Sequence, residues 1–163
     1  MGMENLAARL DRLEQQFSVL METLSASPIL GQNNFVGFTA VHDLEDHKSY
    51  SSGTKVTYSS VKTNFGDCYD GTSTFTCCFT GYYYFSFNAV QAESTSMLAS
   101  LKVNDVTMAT MNAISGDGNA ASGSAVVFCS QGQQVWVETD VSSVVHNGPY
   151  NTFSGILLQI STA

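Results

Sequence analysis

Positive charge is scarce in this chain of 163 residues. Lys and Arg number 6 against 14 Asp and Glu, for a net charge of −8. A phosphate backbone or an anionic membrane surface is held by clustered basic side chains, and no such cluster is present, so nucleic acid is not expected as a partner. No apolar run approaches the roughly 18 residues of a membrane-spanning helix, so membrane insertion is not expected either. The opening MGMENL fits N-myristoylation poorly, because Leu6 stands where Ser or Thr is wanted. The cysteines Cys68, Cys77, Cys78 and Cys129 lack the paired spacing of a zinc site. No serine or cysteine sits in a nucleophile motif, so no catalytic residue is assigned and an enzyme is not expected. Charged residues make up only 12% of the chain, half the usual share. Ser, Thr, Gly and Asn take their place, a balance that favours a β-rich extracellular protein.

What is present divides in two. Residues 1–27 carry apolar side chains at Met3, Leu6, Leu10, Leu13, Phe17, Leu20 and Leu24, stepping alternately by three and four. That is a heptad seam, with Met3, Leu10, Phe17 and Leu24 at a and Leu6, Leu13 and Leu20 at d. Good helix formers surround it, and Pro28 is expected to end the helix, which would run roughly 33 Å at about 1.5 Å per residue. A narrow seam fits a coiled coil better than a helix laid on a globular body. Arg9 at g reaches Glu14 at e of a parallel neighbour, and the bulky Phe17 at an a position sits more easily among three strands than two. RLDRLE also resembles the Arg-hydrophobic-x-x-hydrophobic-Glu pattern of short trimeric coiled coils. About three heptads are marginal alone, so residues 28–163 are expected to trimerise as well.

Beyond Pro28 the period changes to two. Val36, Phe38 and Ala40 alternate with small residues, as do Met97, Ala99, Leu101 and Val103, and Val135 and Val137. SAVVFC and TFSGILLQI are apolar on both faces. Turn signals such as SSG, NFGD, YDGT, VND, SGDGN, SQG and HNGP separate nine or ten short strands. The expected fold is all-β, a jelly-roll sandwich.

The stretch FTCCFTGYYYFSFN, residues 75–88, is rich in aromatic rings. Alternation puts Phe75, Cys77, Phe79, Tyr83, Phe85, Phe87 and Ala89 on core-facing sides. Tyr82 and Tyr84 fall on the opposite face. A lone domain tends not to expose two large rings together, so both are assigned to a subunit interface.

NFGDCYDGTSTFTCCFTGYYYFSFN, with GQQVWVET and TFSGILLQ, resembles the globular head of complement C1q and its relatives. The matching residues are Asn64, Tyr69, Asp70, Phe75, Cys77, Gly81, Tyr83, Phe85, Gly132, Val135, Trp136, Val137, Phe153, Ser154, Gly155 and Leu158. VGFTAV at 36–41 looks like the family's opening strand, and the resemblance spans about residues 33–161. Gln133 departs from an Asp often placed near bound calcium, and Thr80 from a common Pro. No collagen-like stem is present; a coiled coil stands there, as in secreted invertebrate members and the cerebellins. The resemblance implies a ten-stranded jelly roll packed as a homotrimer, secreted, with recognition rather than catalysis as its activity. Its ligands would be microbial surface glycans and related patterns, which is innate immunity. The alternative is a cerebellin-like organiser or matrix protein that binds another protein.

The remaining polar residues offer candidate sites. Four cysteines allow three connectivities. One disulfide is expected, with its partners left open and one thiol serving as a small buried hydrophobe. His42, Asp43, Glu45, Asp46 and His47 form either a solvated loop, the favoured view, or a cation site. Asp117, Asn119 and Asp140 offer oxygens to calcium, although no EF-hand loop is present and no cofactor is assigned. Loops at one end of a sandwich usually carry recognition. On that ground His42, Tyr50, Asp117, Asn119, His146, Asn147 and Tyr150 are the expected ligand-binding residues, with the two tyrosines stacking on a sugar ring.

Overall fold

The computed structural model describes residues 2–25, 35–42, 47–93, 95–116 and 118–161, and within the helix the side chains of 9–22. The chain divides into two compact units, Met1–Asn34 and Phe35–Ala163. Pro28 lies outside the described residues, as do the side chains of Leu6 and Leu24.

The described residues of the first unit form the helix α1 (Gly2–Ser25). Leu10, Leu13, Phe17 and Leu20 lie along it at heptad spacing, and each is more than half exposed. No described helix is long and apolar enough to cross a membrane.

The described residues of the second unit form twelve strands and no helix. They are β1 (Gly37–Val41), β2 (Lys48–Tyr50), β3 (Thr54–Lys55), β4 (Ser60–Phe65), β5 (Thr74–Thr76) and β6 (Gly81–Val90), followed by β7 (Met97–Val103), β8 (Val106–Ala113), β9 (Ala120–Cys129), β10 (Gln134–Thr139), β11 (Ser143–Val145) and β12 (Thr152–Ile160). One five-stranded sheet runs β4-β1-β12-β6-β9. The other runs β3-β10-β7-β8, with β5 also on β10. Ten strands thus form the two main layers, and β2 with β11 forms a small third sheet beyond the ten expected.

The core between the layers is aromatic. The rings of Phe38 and Tyr69 stack at 4.5 Å, and Phe75 meets Phe85 edge-on at 5.4 Å. Tyr83, Phe85, Phe87 and Ala89 are all buried, as the alternation along β6 requires. Each large ring contributes about 1.5–3 kcal/mol by leaving water. Gly155 lies beneath two of these rings: a β-carbon there would stand 2.5 Å from Phe85 and 2.7 Å from Phe38. Only glycine leaves room for them.

Several residues that carried the family resemblance have local structural work. The Asn64 side chain accepts from the Tyr69 N–H and donates to the Tyr69 carbonyl. The Tyr69 hydroxyl donates to the buried carbonyl of Tyr58. Asp70 gathers the N–H groups of Thr72, Ser73 and Thr74 on one carboxylate oxygen. Partial burial raises its pKa, but the three donors outweigh that and hold it below its ordinary value near 3.8. The departing residues also find roles. Gln133 Oε1 accepts from the Ser130 N–H, and Thr80 Oγ1 accepts from the Gln131 N–H.

The cysteines correct one expectation. Two disulfides form, Cys68–Cys78 and Cys77–Cys129, and no cysteine is free. Adjacent Cys77 and Cys78 point to opposite sides, as expected, but each side supplies its own partner. Trp136 projects from the outer face of β10, yet it is buried: the Lys55 ammonium lies 4.0 Å from the ring centroid, and the indole N–H donates to Glu138.

Candidate functional site

The outer face of the sheet β4-β1-β12-β6-β9 is divided along its length. At one end β6 presents Tyr82 and Tyr84, and β9 presents Val126 and Phe128. Ile156 on β12 pairs with Tyr84 from the other side, and Phe65 on β4 pairs with Gly37 of β1. All six of these side chains are exposed in the single chain, Tyr82 by 47% and Tyr84 by 39%. Tyr82 and Phe128 meet edge to face at 5.3 Å, and so do Phe35 and Phe65 at 5.2 Å. Phe35, Gly37, Phe65, Tyr84 and Ile156 line an apolar cleft of about 290 Å³. At the other end the same strands show Ser86, Asn88, Ser122, Ser124, Thr152 and Ser154.

Such a contiguous aromatic surface is uncommon on a domain that stays alone. Tyr82 and Tyr84 fall where alternation put them. The residues that complete the face, Val126, Phe128 and Ile156, come from the segments that read as apolar on both sides. That doubling was the available signal for a second buried surface.

His42 after β1 and the described loop residues after β6, β8 and β11 gather beyond the hydroxyl-bearing end of the face. Backbone bonds join them: Gln91 N–H to Asn119 O, Gly118 N–H to Gln91 O, Ala92 N–H to Val144 O, and His146 N–H to Val90 O. Buried Asn151 knits the group from its centre. Its Oδ1 accepts from the Val90 N–H, its Nδ2 donates to the His146 carbonyl, and its own carbonyl accepts from the His42 N–H.

The expected ligand-binding residues separate within this end. Asn119, His146, Asn147 and Tyr150 belong to the loop cluster, and the Tyr150 ring is 62% exposed. His42 and Tyr50 are corrections. They are 0% and 4% exposed, so neither offers a face to a ligand. The exposure expected for them fails because each side chain is packed inward next to a strand end: the Tyr50 hydroxyl accepts from the Thr57 N–H, and burial raises its pKa. Asp117 lies outside the described residues, as do Asp43, Glu45 and Asp46 of the alternative cation site. Asp140 is engaged by Ser100 at 2.6 Å and stands 4.0 Å from Lys102. Among the described residues no three His, Cys, Asp or Glu side chains group to hold a metal ion.

A family model described as the C1q domain matches residues 37–158. The chain belongs to the C1q domain family. Among curated proteins its C1q domain is similar to Caprin-2 of Danio rerio, at 35% identity over 108 residues, 63% of this chain and 12% of that protein. It is also similar to Complement C1q tumor necrosis factor-related protein 7 of Mus musculus, at 29% over 115 residues, 66% of this chain and 39% of that protein. The chain therefore spans well under half the length of both relatives. Among solved structures it resembles the globular domain of zebrafish complement 1qA protein, with a TM-score of 0.64 at 20% identity, covering 78% of this chain and 100% of the other. Eiger TNF from S. frugiperda follows at 0.63 and 11%, covering 79% and 96%. At these identities the likeness is one of fold, and it makes the C1q domain here a jelly roll of the C1q and tumour-necrosis-factor kind.

Proposed function

We propose that this protein is a secreted homotrimer that recognises extracellular surface ligands through its C1q heads, with microbial glycans as the leading ligand class and innate immunity as the setting. The observation that carries the trimer is the aromatic end of the β6-β9-β12 face, left open in the single chain. The exposed heptad seam of α1 supports it independently, because two separate surfaces then want the same partner. Both disulfides favour an oxidising compartment, where such bonds persist.

Trimerisation serves recognition. One sugar contact is weak, and three linked heads raise avidity by about 10² to 10⁴ when ligand spacing allows. The loop cluster carrying Tyr150, Asn119, His146 and Asn147 supplies a stackable ring beside hydrogen-bonding groups, and this is where the glycan is placed. The three heads would present these loops together.

A glycan array probed with the full chain tests the ligand class. Binding competed by free sugar, and lost in Tyr150→Ala, supports the proposal. A blank array together with tight binding to a protein partner replaces it with the cerebellin-like organiser.

A further inference from the structure

The small sheet of β2 and β11 places two histidines together. Its antiparallel register pairs Tyr50 with Ser143, Ser49 with Val144 and Lys48 with Val145. Carried one step past the strand ends, the same register sets His47 opposite His146. Directly opposed residues bring their β-carbons to about 4.5–5.5 Å. The two imidazole centroids are 4.5 Å apart and the rings are inclined by 59°, so they do not stack flat. His47 is exposed and His146 half-buried. The His146 backbone is pinned on both sides, its N–H by the Val90 carbonyl and its carbonyl by the Asn151 side chain. The backbone that carries one ring is thus held in place, while the other ring stands open to solvent.

We propose that His47 and His146 form a two-imidazole site for a late first-row divalent metal ion, with water completing the coordination. With metal–nitrogen bonds of about 2.0–2.1 Å, two imidazoles sharing one ion hold their centroids about 4.5 Å apart at a right angle and about 5.2 Å apart at a tetrahedral angle. The observed 4.5 Å lies at the short end of that range, within reach of one shared ion. Nitrogen donors follow the Irving–Williams order, so the site takes Cu²⁺ first, ahead of Ni²⁺ and Zn²⁺. Imidazole nitrogen is a poor donor for Ca²⁺, which wants several oxygens. The site is therefore separate from the calcium oxygens expected of the loops, and it rests on no assumption about trimers or glycans.

Calorimetric titration of the full chain, stripped of metal beforehand, with Cu²⁺, Ni²⁺, Zn²⁺ or Ca²⁺ tests it. The expected result is one Cu²⁺ per chain, with nitrogen ligation in the electron paramagnetic resonance spectrum, and weaker Ni²⁺ and Zn²⁺ binding. His47→Gln and His146→Gln each lower Cu²⁺ affinity at least tenfold, with melting curves showing that the domain is still folded. His47 is exposed, so His47→Gln alone decides the matter should the His146 variant not fold. Parental Cu²⁺ affinity in His47→Gln overturns the proposal, and so does displacement of Cu²⁺ by equimolar Ca²⁺.

Discussion

Tyr82 on β6 and Phe128 on β9 face each other directly across the strand pair, ring edge to ring face at 5.3 Å, and both are half-exposed. Two rings so placed make a rigid apolar step that water covers poorly. A partner surface that fits it gains about 25 cal/mol for each Å² of apolar area removed from water.

Self-association is the expected consequence of that surface. Light scattering of the full chain at micromolar concentration is expected to give a trimer. Tyr84→Glu on the head and Leu13→Asp in the helix are each expected to shift the population toward monomer, since each would bury a charge without a partner. A monomeric parent would remove the basis for both interfaces. A trimer unchanged in Leu13→Asp would show that the heads alone suffice.

Gly155→Ala tests the packing beneath Phe38 and Phe85. The added methyl has to displace ring atoms at 2.5 and 2.7 Å, so overpacking is expected to cost about 1–3 kcal/mol, read as a lower urea midpoint with unchanged slope. A midpoint equal to the parent's would mean that the rings shift freely.

The disulfides differ in span. Cys77–Cys129 closes a separation of 52 residues and Cys68–Cys78 one of 10. Chain-entropy estimates then give roughly 4 and roughly 3 kcal/mol of stabilisation. Replacing both cysteines of the longer bridge by Ala should lower the melting temperature further than replacing both of the shorter one. The reverse order would show that the span is not what sets their contributions.

Tyr58 and Tyr69 should respond oppositely to loss of the hydroxyl. The Tyr58 hydroxyl is buried with no hydrogen-bond partner among the described residues, so Tyr58→Phe is expected to be neutral or stabilising. The Tyr69 hydroxyl serves the buried Tyr58 carbonyl, so Tyr69→Phe orphans an acceptor and should cost about 1–3 kcal/mol. Equal effects in thermal melts would refute the assignment.

Asp70 supplies a pH dependence. Its pKa is lower in the folded chain than its ordinary value near 3.8, so the unfolded chain binds the proton more readily. Its contribution is complete above about pH 5 and is lost as pH falls through the folded value. The parent should therefore lose melting temperature more steeply than Asp70→Asn below about pH 4. Parallel acid profiles would assign the acid sensitivity elsewhere.

Much of this architecture can be read from local pattern. A helix at heptad spacing and strands at period two need only neighbours in the chain, which is why Leu10, Leu13, Phe17 and Leu20 line one stripe and why Tyr83 and Phe85 point inward while Tyr82 and Tyr84 point out. Turn chemistry is equally local, as at Gly53, Gly66, Gly71 and Gly132, all at positive φ where the turn signals stood. Other features depend on which strands meet. Cys77 could find Cys129, and Cys78 could find Cys68, only once the loops at that end had been brought together. Tyr50 and His42 sit in polar segments that look exposed, and packing against non-local neighbours buries them. His47 and His146 become a pair solely through the β2–β11 register. Period and composition act within a few residues, whereas disulfide choice, burial at strand ends and the meeting of two imidazoles depend on contacts distant in sequence, and those exist only in the folded sandwich.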